Sequence, residues 1–192
     1  MSIKFEDKGA KTTIVFIPGW GTDSSIFKKI TGNWNSLYID NEDPFEFSET
    51  LSQALSKHNI HSVILFGFSM GGFMALDYAA SAPKSIKKVI LTGVRQQYAE
   101  EEMKSISKMI KQNKKGFMAA FYKSCFNEIQ AYKGFKSKCL PQYLSQFSKS
   151  ELVFGLHYLA DTAITQTQLK KLPKITFCHG KSDNVAPINE VR

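Results

Sequence analysis

Short apolar runs rich in Val, Ile and Phe alternate along this chain with longer stretches of helical spacing. Residues 12–17 (TTIVFI), 37–40 (LYID), 62–66 (SVILF), 88–92 (KVILT) and 174–178 (KITFC) read as strands. Most are nearly continuous in apolar character, as expected of strands covered on both faces. Between them, residues 48–57 place Leu51, Ala54 and Leu55 on one helical face. Residues 70–80 do the same with Phe73, Leu76 and Ala80, and Pro83 stops that helix. This alternation predicts an α/β fold: a mainly parallel sheet with helices on both faces.

Residues 95–162 break the alternation. They carry helical spacing and no clear strand. Met103, Ile106, Met109 and Ile110 mark one face, Phe117, Phe121 and Cys125 another, and Pro141 separates the later helices. We read this stretch as a helical cap inserted between two sheet strands, with 1–94 and 163–192 forming the core.

A length of 192 residues suits one domain with a useful core, and 43% hydrophobic with 22% charged residues argues against disorder. The apolar runs are far too short to span a bilayer, and the charged opening MSIKFEDKG lacks the apolar stretch of a signal peptide. Three scattered cysteines, Cys125, Cys139 and Cys178, fit free thiols in a reducing compartment and lack metal-ligand spacing. The expectation is a cytoplasmic monomer with no metal, no membrane contact and no nucleic-acid partner. The formal net charge of +8 is concentrated: residues 95–150 hold eleven Lys/Arg against four Asp/Glu. Two readings stay open, a solvated helical face or a surface that attracts an acidic partner.

The candidate chemistry begins where SVILF runs into Gly67-Phe68-Ser69-Met70-Gly71, with a helical pattern following. This is G-x-S-x-G in the setting of strand, sharp turn and helix. Such a turn holds the serine in a strained conformation with its hydroxyl above the sheet, and flanking glycines remove colliding Cβ atoms. The helix aims its positive end where an oxyanion would form. The first strong strand ends in Pro18-Gly19-Trp20-Gly21, which can bring a second backbone amide to the same place. The Trp20 and Met70 amides are therefore the candidate oxyanion donors, with the Trp20 indole lining the pocket.

The strand KITFC leads to His179-Gly180-Lys181-Ser182-Asp183. A carboxylate after a late strand is where the acid of a Ser, acid, His order belongs, so Asp183 is the candidate acid. No histidine follows it. His58 and His61 precede the nucleophile strand, His157 lies in a helical pattern, and strand-end packing is expected of His179. None is assigned as the base. Two explanations stay open: a fragment of a longer protein that continues through a last strand, a His loop and a final helix, or a genuine short form without the base; residues 188–192, which read as a helix cut in its first turn, favour the fragment. As written, the chain should be nearly inactive.

These motifs resemble the α/β-hydrolase superfamily over nearly the whole chain. Within it, IVFIPGWGTDSSIF, GFSMGG and GLHYLADTAITQTQLKKLPKITFCHGKSDNVAP are similar to the pimeloyl-[acyl-carrier protein] methyl ester esterases of biotin synthesis. The family's common His-Gly before the Trp is Pro18-Gly19 here, and lysines replace some cap arginines. The resemblance implies a serine esterase with no cofactor, Ser69 as nucleophile and Asp183 as acid. It places Trp20, Ser69 and Met70 at the substrate, and Phe117 and Phe121 along an acyl pocket. The implied substrate is an ester carried on an acidic acyl carrier protein. A general carboxylesterase, thioesterase or lipase of the same fold, and a non-catalytic pseudo-hydrolase binding module, are the alternatives.

Overall fold

The run TIVFI carries four consecutive apolar residues after Thr13, and in the computed structural model, which describes residues 2–40, 43–172 and 174–190, it lies at the middle of a six-stranded sheet. The strands are β1 (Ser2–Glu6), β2 (Thr13–Ile17), β3 (Asn35–Asp40), β4 (Val63–Phe68), β5 (Ile86–Thr92) and β6 (Ile175–Cys178). Their order is β1-β3-β2-β4-β5-β6, with β1 antiparallel to β3 and every other pair parallel. All five residues of β2 are buried, as a central strand covered on both faces requires.

The chain packs as two units: Met1–Val94 with Ile164–Cys178, and Arg95–Ala163 with His179–Arg192. In the first, α1 (Phe47–Lys57) buries Phe47, Leu51, Ala54 and Leu55. Helix α2 (Met70–Ser81) buries residues nearly all round, among them Phe73, Met74, Leu76 and Tyr78, and packs on β2, β4 and β5. Ala80 lies on the solvent side; Ala79 takes the buried place. The half-buried Trp34, Tyr38, Ile64, Phe66 and Phe68 pack against Ile14, Phe16 and Phe27. Phe16 stacks on Tyr38 with ring centroids 5.2 Å apart. A 3₁₀ turn, Ser24–Phe27, is fastened to the end of β3 because the Ser24 amide and hydroxyl both donate to the Asp40 carboxylate, each at 2.7 Å.

Strand β1 is a departure from the sequence reading, which treated its segment only as a charged opening. Lys4 and Glu6 interrupt the apolar pattern, and an edge strand needs no continuous apolar run. Its Ile3 is 38% exposed, so the burial that makes β2 conspicuous is missing.

The second unit holds α3 (Glu100–Ser124), α4 (Ile129–Lys138), α5 (Leu140–Gln146) and α6 (Lys149–Asp161), while α7 (Gln166–Lys171) belongs to the first. An antiparallel bridge between Gln97 and Ala163 joins the two ends of the insertion. Pro141 stands in the first turn of α5, where a missing amide costs nothing. Helix α3 is jointed. Asn113 leaves helical geometry (φ −145°, ψ 78°) and its Oδ1 accepts from the Gly116 amide at 3.0 Å, so it caps the second half. Two lysines brace the joint: Lys114 Nζ donates to the Phe147 carbonyl at 2.6 Å, and Lys149 Nζ to the Lys111 carbonyl at 2.7 Å. The buried line is Met103, Ser107 and Ile110, then Met118 and Tyr122. Met109 is 41% exposed, because it lies roughly 120° round the helix from Met103 at about 100° per residue. Residues 188–190 form a 3₁₀ turn; the rest of the expected helix start, 191–192, lies outside the described residues.

Helix α6 starts with a capping box. The Ser148 hydroxyl accepts from the Glu151 amide at 3.1 Å, and the Glu151 carboxylate accepts from the Ser148 amide at 2.7 Å. The hydrogen bonds from Ser148 hold the Glu151 carboxyl below the usual carboxylate range. Ser148→Ala should cost about 1 kcal/mol in urea unfolding at pH 7. The Glu151 contribution is present above its unfolded pKa and is lost as pH falls through the lowered folded value. The difference in unfolding free energy between the protein and its Glu151→Ala variant should therefore shrink on acidification below the ordinary carboxylate range.

Candidate active site

Strand order reverses at β2. The chain leaves it to form β3 on one side, then crosses to β4 on the other. At such a switch point the segments following neighbouring strands diverge and leave a crevice at their carboxyl ends. The two segments here are Pro18-Gly19-Trp20 after β2 and Ser69 after β4.

Ser69 sits between β4 and α2 with φ +51° and ψ −121°, a left-handed conformation that non-glycine residues rarely adopt. Strain of this kind costs about 1–3 kcal/mol and persists only where its surroundings enforce it. Here the Ser69 amide donates to the Thr92 carbonyl at the end of β5 (2.9 Å), and its own carbonyl accepts from Gly72 (2.8 Å). Close packing completes the constraint. A Cβ on Gly67 would stand 2.5 Å from the Gly71 carbonyl oxygen and 2.6 Å from the Gly72 Cα. The side chain of Ser69 is half-buried and makes no capping bond to its own helix.

The loop after β2 lies directly against this serine. A Cβ on Gly19 would be 2.9 Å from Ser69 Cβ and 3.1 Å from the Phe68 carbonyl oxygen. Gly19 accepts from the Thr22 amide (3.2 Å) and hydroxyl (2.8 Å), closing a turn over Trp20 and Gly21, with Gly21 at φ +65°. The Trp20 side chain is buried at 8% exposure. Met70 is the first residue of α2, where helix geometry offers an amide no carbonyl within the helix. Ser69, Met70 and Trp20 are thus gathered at one place within the first unit.

Asp183 belongs to the second unit, in the loop between β6 and the 3₁₀ turn at Ile188–Glu190. Its Oδ1 accepts from the Val185 amide (2.9 Å) and the Ala186 amide (2.8 Å). The carbonyls of the same loop are held by side chains. Asn127 Nδ2 donates to Ser182 at 2.7 Å, Arg95 Nε to Val185 at 3.0 Å, and His179 Nε2 to Ala186. His179 Nε2 is 4.0 Å from Asp183 Oδ2. Phe117 and Phe121 are half-buried on the second half of α3, with the Phe121 ring 5.7 Å from Tyr122. Cys125, one turn beyond Phe121, turns its sulfur back to the Phe121 carbonyl. The residue as a whole is exposed, yet burial of the sulfur, then the charge of Asp183, push its thiol up to about 11.

The Arg95, Asn127 and His179 grips were not anticipated from sequence. Their partners are backbone carbonyls, which leave no mark in the residue pattern. Of the other histidines, His58 lies against Phe5 with the rings tilted and their centroids 4.6 Å apart, while His61 and His157 are exposed. Among the described residues no cluster of His, Cys, Asp or Glu could hold a metal ion, and no helix is long and apolar enough to cross a membrane.

A strained serine at a strand-to-helix turn, at the switch point of a mainly parallel sheet, defines the class to which comparisons also lead. The profile of the α/β hydrolase fold matches residues 22–128, and the chain belongs to that family. The pimeloyl-[acyl-carrier protein] methyl ester esterase of Aliivibrio salmonicida is 24% identical over 97% of this chain and 80% of its own length. Among solved structures, an esterase from Exiguobacterium antarcticum superposes with a TM-score of 0.81 at 18% identity, over 98% of this chain and 80% of that one. A thermophilic esterase from Thermogutta terrifontis gives 0.83 at 16% identity, over 98% and 78%.

The Cys125 thiol reports on the loop that carries Asp183. With a pKa near 11, about one thiol in a thousand is ionised at pH 8, so iodoacetamide should modify Cys125 slowly. Asp183→Asn removes a negative charge that disfavours the thiolate and should speed that alkylation several-fold, read by peptide mass spectrometry.

Proposed function

We propose that the protein is a serine carboxylesterase working through an acyl-enzyme. The Ser69 oxygen attacks the ester carbonyl carbon while a base takes its proton. The Trp20 and Met70 amides stabilise the oxyanion, the bond to the alkoxy group breaks, and the alcohol leaves with that proton. Water then adds to the acyl group and releases the acid and Ser69. Asp183 orients and stabilises the protonated base. No histidine of these 192 residues is assigned that part. The observation that carries the reading is the left-handed Ser69 at the start of α2, packed against Gly19.

The proposed substrate is the methyl ester of a pimeloyl chain on an acyl carrier protein, with methanol as the leaving alcohol. Support comes from the name of the 24%-identical relative and from the lysines of the helical unit. Phe117 and Phe121 supply apolar surface for the acyl chain. The cap, 95–162, is the proposed substrate-binding segment. A cytoplasmic location and a monomeric state are proposed alongside it.

The base can be supplied from solution. Hydrolysis of p-nitrophenyl acetate above the uncatalysed imidazole reaction should rise with free imidazole, and Ser69→Ala should remove at least about 1000-fold of that rescued rate. A rescued rate that Ser69→Ala leaves intact overturns the esterase reading; no rescue at all, with ester still bound, favours a binding module.

The carrier is tested separately. Lys108, Lys111 and Lys115 are exposed on α3, whereas Lys114 is committed to the Phe147 carbonyl. Reversing those three charges should raise KM for a carrier-bound methyl ester by about ten-fold or more, with an effect that fades in high salt. Rates on p-nitrophenyl esters should stay within about two-fold, since steering acts on the charged partner. Equal effects on both substrates point to a general esterase.

A further inference from the structure

Arg95 is a largely enclosed cation, with 16% of its side chain exposed, and it precedes α3 by five residues. Its guanidinium is held from three sides. Nη1 binds both oxygens of Glu102, at 3.2 and 3.0 Å; Nε lies 3.0 Å from Glu190 Oε2; and the group stands 5.0 Å over the Tyr98 ring. The neighbouring Gln96 amide donates to the Glu190 carbonyl at 3.0 Å, and Glu190 donates to Pro187 at 2.9 Å. The loop 183–190 is therefore drawn to the start of α3 at several points.

One of these contacts leads to the carboxylate. The peptide group joining Val185 to Ala186 is planar and rigid. On one side its carbonyl accepts from Arg95 Nε at 3.0 Å; on the other its N–H, that of Ala186, donates to Asp183 Oδ1 at 2.8 Å. Arg95, one peptide plane and Asp183 thus form a chain of two hydrogen bonds in series, in which a cation polarises the donor that grips the carboxylate. Turning that plane would turn the amide away from Oδ1.

We infer that Arg95 is a positioning residue for Asp183, fixing the orientation of the carboxylate through the Val185–Ala186 peptide. The inference rests on the reading of Asp183 as the acid. Lysine is a poor substitute, because a single ammonium cannot meet Glu102, Glu190 and the Val185 carbonyl in the same fork geometry.

The test is a double-mutant cycle on imidazole-rescued hydrolysis of p-nitrophenyl acetate, with Ser69→Ala as the blank. Arg95→Met should lower kcat about ten-fold, a misplacement effect, and leave KM within about two-fold. Arg95→Lys should fall between the protein and Arg95→Met. In an Asp183→Asn background, Arg95→Met should change kcat by less than about two-fold, because its target is already gone. Equal losses in both backgrounds, or a loss confined to KM, give Arg95 a general structural role and overturn the inference. So does an unchanged kcat in Arg95→Met and Arg95→Lys when Asp183→Asn is impaired. Full activity in Asp183→Asn overturns the reading of the acid itself, a different outcome.

Discussion

A single backbone torsion organises the first unit. Ser69 is held at φ +51° by the carbonyl of Thr92 in front and the first turn of α2 behind, and neither bond forms unless β4, β5 and α2 are already in register. The strain, about 1–3 kcal/mol, is small beside the burial of Leu65, Phe16, Leu91 and the apolar face of α2, so the sheet can enforce it. Ordinary strand-to-helix turns have no need of such a torsion. Nor do they need a neighbouring loop so close that a methyl group on Gly19 would collide with the serine Cβ. The local arrangement is overdetermined in the way expected of a site with chemistry to perform.

The second unit solves another problem, how to steady a helix that buries little. Helix α4 has no buried residue and Ile129 at its start is 58% exposed. It is held by aromatic contacts, Phe135 with Tyr122 at 5.4 Å and with Phe126 at 5.2 Å. Lys114 and Lys149 each spend a charge on a carbonyl near a helix end, where a cation also meets the negative end of the helix dipole. The positive charge of this segment is thus partly structural, while other lysines, such as Lys108, Lys111 and Lys115, remain in solvent.

Legibility followed the length scale of the interaction. The parallel strands were readable because burial on both faces writes itself into every residue, as in TIVFI. The turn at Ser69 was readable because its constraint demands glycine at fixed offsets. Strand β1 was missed because its stability comes from pairing with β3, which Lys4 and Glu6 do not oppose but do not advertise. The joint at Asn113 was hidden for a similar reason: its cap is a side chain reaching three residues ahead, embedded in a pattern that stays helical on both sides. Even so, the shift from the Met103–Ile110 face to the Phe117–Phe121 face was a trace of it, although the buried line proved to be Met118 and Tyr122.

The loop that carries Asp183 lies at the far end of that scale. Nothing in the string HGKSDNVAP distinguishes Asp183 from a solvated aspartate, because the groups that hold it are amides and carbonyls which every residue possesses. What sets it apart is how many of them are committed. Two amides converge on one carboxylate oxygen, the carbonyls of Ser182 and Val185 are taken by side chains from elsewhere in the sequence, Asn127 and Arg95, and that of Ala186 by His179 at the start of the same loop. A loop with its backbone so fully engaged has little freedom left to lose, and under the proposed role for Asp183 the carboxylate would need no ordering at the moment of reaction. Asp183 and Ser69 are fixed by opposite means: one is held in a comfortable conformation by many bonds, the other in an uncomfortable one by tight packing.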